Sequence, residues 1–171
     1  MFAQDERRFG LLTVRRRRLT ARGVQPVGTI QHTFQSFYVS GAIAPTTGDH
    51  FFLGLPRLNS THFQSFIDAL AQAYPDSLNI LVLDNSGAHT AKRLKIPNNM
   101  RLVLLPPYTP ELNPIERVWR DVKDKLAWQQ FTDLDAQQHY VTDLLDTYDA
   151  ATLQSLTAYA YFVEAVNALS I

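Results

Sequence analysis

Apolar residues follow one another almost without interruption at two places in the chain, and both runs predict strands. The first, from Leu78 to Leu83, ends at Asp84 and a turn-prone stretch, which indicates a strand buried on both faces of a sheet. The second, residues 101–105, is closed by Pro106 and Pro107, which have no N–H to donate to a neighbouring strand. The two runs therefore predict successive strands of one sheet.

Two earlier strands are predicted over residues 35–43 and 50–55. Residues 45–49, Pro-Thr-Thr-Gly-Asp, have the composition of the turn that joins two strands of a hairpin. Together with a strand around Asp5, they predict an antiparallel meander at the beginning of the sheet.

A spacing of three and four between apolar residues predicts helices elsewhere. Residues 59–74 form one such segment, with Asn59 or Ser60 as its N-cap. Another helix is expected to begin near Ala88, and the tail of the chain predicts two more, over residues 133–148 and 151–169.

The helix that follows the second apolar run has the clearest pattern. Asn113 is expected to be its N-cap, with Pro114 in the first helical position and Glu116 three residues after the cap. Its predicted core face consists of Ile115, Val118, Trp119, Val122 and Leu126. At 100° per residue, Glu116 lies at the border of this face, from where a carboxylate can reach the edge of the sheet.

Strands and helices in this order predict an α/β fold, a mixed five-stranded sheet flanked by helices, with a C-terminal helical tail. The 171 residues, 46% of them hydrophobic, are enough for one domain with a sizeable core. We find no internal repeat or long linker, so residues 1–171 are expected to form a single domain.

Asp84 and Glu116 are candidate functional residues because both follow predicted strands. Asp84 stands at the carboxyl end of a buried strand, where open α/β sheets bind their ligands. The alternatives are that Asp84 or Ser86 caps a helix, and that Glu116 completes a capping box with the Asn113 backbone N–H. A strand end and a helix start that are 32 positions apart can nevertheless converge on one site.

The residues around these two acids resemble a known family. Asp84-Asn85 with His89, followed by the run LPPYTPELNPIERVW from Leu105 to Trp119, is similar to the signature of DDE transposases in the bacterial branch of the mariner-type superfamily. Asp5-Glu6, followed by Arg7-Arg8-Phe9-Gly10, resembles the first acidic motif of these proteins. The resemblance extends over nearly the whole chain, and the long proline-rich motif is its most specific part.

This resemblance implies a ribonuclease-H-like fold and a metal-binding triad of Asp5, Asp84 and Glu116. The family pattern favours Asp5 over Glu6, and only one of two adjacent strand residues can point into a site. The implied cofactors are two Mg²⁺ or Mn²⁺ ions, which prefer hard oxygen ligands, with Asp5 bridging both ions. The implied reaction is cleavage of transposon ends and transfer of their 3′-hydroxyl groups to target DNA.

The chain also departs from the family pattern. Leu19 follows the arginine run at the position where a tryptophan is usual, and no helix-turn-helix segment precedes Met1. The chain is therefore expected to be the catalytic half of a two-frame or disrupted element. Its expected partners are transposon-end and target DNA, and either a second copy of itself or a transposase chain that bears the helix-turn-helix segments.

Charge is unevenly distributed, although 16 basic residues balance 16 acidic ones. Seven arginines against two acids give residues 1–23 a net charge of +5, whereas residues 130–171 carry six acids and no Lys or Arg. The candidate DNA-binding residues are Arg15, Arg16, Arg17, Arg18, Arg22 and His89. Alternatively, the arginines discourage pairing at a sheet edge, and His89 caps or packs at a helix start.

Composition excludes several other classes of protein. The chain has no cysteine, and no stretch approaches the roughly 18 apolar residues of a membrane helix, so a soluble, intracellular protein is expected. The family resemblance implies a cytoplasmic, nucleoid-associated protein of a bacterium. A small-molecule α/β enzyme is disfavoured, since there is no Gly-rich phosphate loop or nucleophile elbow. Two alternatives stay open: a structure-specific nuclease on the same fold, and an inactive fragment that acts only as a dimerisation or regulatory partner of intact transposase.

Overall fold

The computed structural model describes residues 1–17, 19–25, 27–87, 89, 91, 93–107 and 109–169. Five strands form one mixed sheet in the order β3-β2-β1-β4-β5. The strands are β1 Phe2–Gly10, β2 Ser36–Ile43, β3 His50–Leu55, β4 Asn79–Leu83 and β5 Met100–Leu104. β2 is antiparallel to both of its neighbours, β1 and β3, whereas β4 is parallel to both β1 and β5. The mixed sheet, the hairpin and the central buried strand therefore lie where the sequence predicts them.

Helices cover both faces of the sheet. They are α1 Ser60–Ala73, α2 Glu116–Lys125, α3 Leu134–Asp146, α4 Ala150–Thr157 and α5 Ala160–Leu169. α1 packs on one face, where its phenylalanines and Leu70 meet Phe2, Leu81 and Leu83 of the sheet. The other four helices contribute to the core on the opposite face, around the fully buried Trp119. Among the described residues, no helix is both long and apolar enough to span a membrane.

Periodicity predicts α1 and the core face of α2 correctly. Asn59 caps α1, with its side chain accepting a hydrogen bond from the backbone N–H of His62. In α2, the five residues of the predicted core face are all buried, with at most 2% of their surface exposed. The apolar stripe thus sets the rotation of α2 about its own axis, and with it the position of Glu116.

Three predictions about helices are wrong in part. The expected helix over residues 151–169 is two helices, α4 and α5, which separate at Ala158 and Tyr159. The described residues between β4 and β5 form turns without a helix, and Ala88, the expected start of a helix there, lies outside the described residues. Asn113 does not cap α2, which begins at Glu116 without a side-chain cap.

Candidate active site

Three acidic residues from three separate elements line one cavity of about 410 Å³. Asp5 lies on β1, Asp84 directly follows β4, and Glu116 is the first residue of α2. β1 and β4 are parallel neighbours, with Ala3 opposite Val82, which places Asp5 beside the end of β4 where Asp84 lies. The other lining residues are Asn85, Ser86, Leu105, Pro106, Pro107, Thr109, Pro110 and Asn113.

Asp5 and Glu6 point to opposite faces of the sheet because side chains alternate along a strand. Asp5 shares its face with Ala3 and Phe9, which belong to the core beneath α2, and it lines the cavity. Glu6 is directed away from the cavity, and only 4% of its side chain is exposed. Of the two adjacent acids, the structure therefore brings Asp5 to the site.

Asp5 is in an unfavourable environment for a carboxylate. Burial, together with the negative charges of Glu116, Glu6 and Asp84, raises its pKa from 3.8 to about 7. Within the described part of the chain, no ion pair reaches Asp5 to offset this effect. Such a strongly raised pKa in a cavity is typical of a functional carboxylate.

Glu116 faces a positive charge. The guanidinium of Arg7 lies 3.5 Å from the Glu116 carboxylate, and both side chains are about one-third exposed. Asn113, which is buried, donates a hydrogen bond of 2.7 Å from Nδ2 to the carbonyl oxygen of Gln4. This bond ties the start of α2 to β1 next to Asp5, and the Asn113 side chain makes it instead of the predicted N-cap bond.

Asp84 is held by His89. Nδ1 of His89 lies 2.8 Å from Oδ1 of Asp84, and Nε2 lies 3.0 Å from Oε1 of Glu6. Burial alone would lower the pKa of His89, but its hydrogen bond to Glu6 and the charges of Glu6 and Asp84 raise that pKa above 6.5. Since His89 is only 4% exposed, it is not available in this structure for the predicted contact with DNA.

The predicted arginine cluster lies away from the cavity. Arg15, Arg16, Arg17 and Arg22 are exposed in the segment between β1 and β2, and Arg18 lies outside the described residues. Arg16 is fixed to α2 by an ion pair of 2.5 Å with Asp124. None of these arginines that the structure describes lines the cavity, and Arg7 is the arginine that contacts its rim.

Comparison with known proteins identifies the family. A sequence model described as "DDE superfamily endonuclease" matches residues 1–138. The chain belongs to this family. The uncharacterized protein y4pE/y4sA of Sinorhizobium fredii (strain NBRC 101917 / NGR234) is 36% identical over 100 residues, covering 57% of this chain and 74% of that protein.

Solved structures of Mos1 transposase share the fold of this chain. The Mos1 paired-end complex with left transposon end has a TM-score of 0.70 at 16% identity, covering 92% of this chain. The Mos1 mariner paired end complex with Mn has a TM-score of 0.67 at 16% identity, also over 92% of this chain. The chain spans about half of the Mos1 chain, 51% in both comparisons. The fold is ribonuclease-H-like, as the resemblance implies.

The side chains that line the cavity are chemically suited to a cation, although its carboxylates do not cluster as metal ligands. Among the described residues, no three His, Asp or Glu side chains are close enough together to hold a metal ion. Asp84 instead contacts His89, and Glu116 contacts Arg7. Three hard carboxylate donors around one cavity nevertheless fit a divalent cation such as Mg²⁺ or Mn²⁺, and burial together with their mutual repulsion raises the pKa of Asp5.

Sequence reasoning missed two groups of residues. The first is the buried cluster of Gln4, Ser40 and Glu6, in which Gln4 Nε2 donates to Glu6 Oε1 over 2.7 Å and to Ser40 Oγ over 3.2 Å. The second is the bond from Asn113 to β1. The polar Gln4 in an otherwise apolar start of β1 is the signal that could have revealed the first group.

Proposed function

We propose that the chain is the catalytic domain of a metal-dependent DNA transposase, with Asp5, Asp84 and Glu116 as its catalytic carboxylates. One observation carries the proposal: three acids from three separate elements of a DDE endonuclease line one cavity. The pKa of Asp5, which burial and the neighbouring acids raise, supports the proposal, since a bound cation would stabilise the ionised carboxylate. The finer reaction is cleavage at transposon ends and transfer of the 3′-hydroxyl ends to target DNA.

The three carboxylates would hold two Mg²⁺ or Mn²⁺ ions. When bound, such ions lower the pKa of a nucleophilic water and stabilise charge on the leaving oxygen of a phosphodiester. The contribution of the chain is to place its acids. β1 fixes Asp5, the end of β4 fixes Asp84, and the bond from Asn113 to Gln4 fixes the first turn of the helix that carries Glu116.

Arg7 and the exposed arginines supply the positive charge that DNA requires. Arg7 lies at the rim of the cavity, where a phosphate of the substrate can compete with Glu116 for its guanidinium. Arg15, Arg16, Arg17 and Arg22 lie further away, and we propose that they contact DNA flanking the cleaved bond.

The proposed partners are DNA and a second transposase chain, either another copy of this one or a helix-turn-helix-bearing chain. We also propose a single domain over residues 1–171 and a place near the nucleoid of a bacterial cytoplasm.

Thermal unfolding with and without Mn²⁺ tests the metal site first. At an Mn²⁺ concentration about 100 times its Kd, binding stabilises the folded chain by about 2.7 kcal/mol. For a domain of this size, that corresponds to a rise in Tm of about 5–10 °C. Asp84→Asn and Glu116→Gln are expected to abolish the rise, whereas Asp76→Asn, an exposed acid away from the cavity, should retain it.

Nicking of supercoiled plasmid then tests the reaction. The wild type with Mn²⁺ is expected to convert plasmid to nicked circles, and Asp84→Asn is expected to lose this activity. Joining of oligonucleotides with free 3′-hydroxyl ends to the plasmid separates a transposase from a nuclease that only cleaves. Absence of both the Mn²⁺ stabilisation and nicking would favour the inactive-fragment alternative over our proposal.

A further inference from the structure

A buried chain of hydrogen bonds leads from β1 to the end of β4. Glu6 Oε1 lies 3.0 Å from His89 Nε2, and the opposite ring nitrogen, Nδ1, forms a hydrogen bond of 3.1 Å with the backbone carbonyl oxygen of Asp84. Nδ1 also lies 2.8 Å from Asp84 Oδ1 as an ion pair. The side chains of Glu6 and His89 are 4% and 1% exposed, while that of Asp84 is 58% exposed. A buried pair of residues therefore holds a carboxylate that faces the cavity.

Glu6 and His89, the buried end of this hydrogen-bond network, are held in place in three ways. Glu6 Oε1 also accepts hydrogen bonds from Gln4 Nε2, at 2.7 Å, and from Ser40 Oγ, at 3.4 Å. The backbone of Glu6 is paired with Ser40 on the neighbouring strand β2. The ring of Phe63 on α1 packs against the ring of His89, with 4.3 Å between their centroids. His89 is thus held by the sheet and by a helix, although it belongs to a turn.

Asp84 is the exposed end of this hydrogen-bond network, and contacts with its carboxylate limit how it can move. Asp84 follows the last residue of β4 and is exposed, so rotation of its side chain is not restricted by packing. Its Oδ1 accepts a hydrogen bond of 3.0 Å from the backbone N–H of Ser86 and lies 2.8 Å from His89 Nδ1 as an ion pair. The hydrogen bond of His89 Nδ1 is to the backbone carbonyl oxygen of Asp84, at 3.1 Å. Both contacts with the carboxylate fall on Oδ1, and Asp84 lines the cavity.

We propose that Glu6 and His89 are positioning residues that fix the Asp84 carboxylate for cation binding. Residues that hydrogen-bond to metal ligands orient those ligands, and their replacement commonly weakens metal affinity by 10–100-fold. The proposal rests on the proposed function, because it assumes that Asp84 is a metal ligand. It also gives Glu6, the acid adjacent to Asp5, a role distinct from that of a ligand.

Amide hydrogen exchange in metal-free protein tests the positioning itself. The Ser86 N–H donates to Asp84 Oδ1, so its exchange rate reports whether that carboxylate is held in place. His89→Phe and Glu6→Met are expected to accelerate exchange at Ser86 by about tenfold or more. Glu6→Gln retains the accepting oxygen and should rescue slow exchange. Phe66→Leu weakens the same core without touching His89, so it should leave exchange at Ser86 within about threefold of the wild type.

Mn²⁺ titration connects the positioning to the site. His89→Phe and Glu6→Met are expected to weaken the Kd for Mn²⁺ by 10–100-fold, and Glu6→Gln and Phe66→Leu by much less. Unchanged exchange at Ser86 in His89→Phe would overturn the proposal, and so would faster exchange with an unchanged Kd. If the wild type does not bind Mn²⁺ at all, the proposed function fails, and the proposal that rests on it falls too. In that case the exchange data still establish whether the hydrogen-bond chain holds Asp84.

Discussion

Replacement of Asp5 by Asn is expected to stabilise the metal-free protein, by an amount that grows with pH. Burial and three neighbouring acids raise the pKa of Asp5 from its ordinary 3.8 to about 7 in the folded chain. Between these two pH values the folded state holds a proton that the unfolded state has released, so the free energy of unfolding falls as pH rises. Asn does not titrate, so the free energy of unfolding of the variant does not undergo this decrease.

The magnitude follows from the two pKa values. At about 1.36 kcal/mol per pH unit, the destabilisation by Asp5 is close to zero below pH 4 and reaches about 4 kcal/mol above pH 7. At pH 5.5 the expected difference between Asp5→Asn and the wild type is about 2 kcal/mol. For a domain of this size, the full difference corresponds to about 8–16 °C in Tm.

Urea unfolding in EDTA at pH 4, 5.5 and 8 measures this difference. Asp76→Asn is a matched control because Asp76 is exposed and lies in the turn after α1, away from the cavity. A difference that is the same at all three pH values, or no stabilisation of Asp5→Asn at pH 8, would refute the reasoning. Addition of Mn²⁺ at pH 8 should stabilise the wild type and leave Asp5→Asn unchanged, so that the difference shrinks.

Three further predictions concern contacts that shape the site and the tail. Asn113→Ala loses the 2.7 Å bond to Gln4 and leaves a buried carbonyl unpaired, so urea unfolding should show a loss of about 1–3 kcal/mol. Gly48→Ala should lower the free energy of unfolding by about 2–4 kcal/mol, since Gly48 has φ +77° and a Cβ there would lie 2.3 Å from the Ala150 carbonyl oxygen. Tyr148→Phe removes the hydroxyl between Asp121 and Lys125, and the expected loss in the same assay is about 1 kcal/mol, because Asp121 is one-third exposed.

Local patterns predict most of the fold because each element carries its own signal. The run before Asp84 is apolar on both faces, and β4 is buried between β1 and β5 as this requires. The break between α4 and α5 has no comparable signal, since neither glycine nor proline marks it. The break coincides with tertiary contacts: Arg117 donates to the hydroxyl of Tyr159 over 2.9 Å and lies 4.5 Å from the centre of its ring.

The candidate site is predictable only in part from the sequence. The motif around Asp84 and Glu116 identifies the acids, and the structure brings them to one cavity with Asp5. Their role as metal ligands stays a prediction. The pairing of Glu6 with His89 joins residues 83 positions apart, so no local spacing could reveal it. Asn113 has the local pattern of an N-cap, but the buried carbonyl of Gln4 competes for its side chain and wins.

The charges around the cavity explain why this site destabilises the protein that carries it. Arg7 lies against Glu116, and His89 lies against Asp84, so each of these acids faces a basic side chain. Asp5 lies between them, is the most deeply buried of the three, and feels the charges of both. A hydrophobic residue at this position would make the domain more stable. Strained or repulsive groups at functional sites commonly lower the stability of a protein in this way. The arrangement becomes favourable only when positive charge enters the cavity, which is the state that the proposed reaction requires.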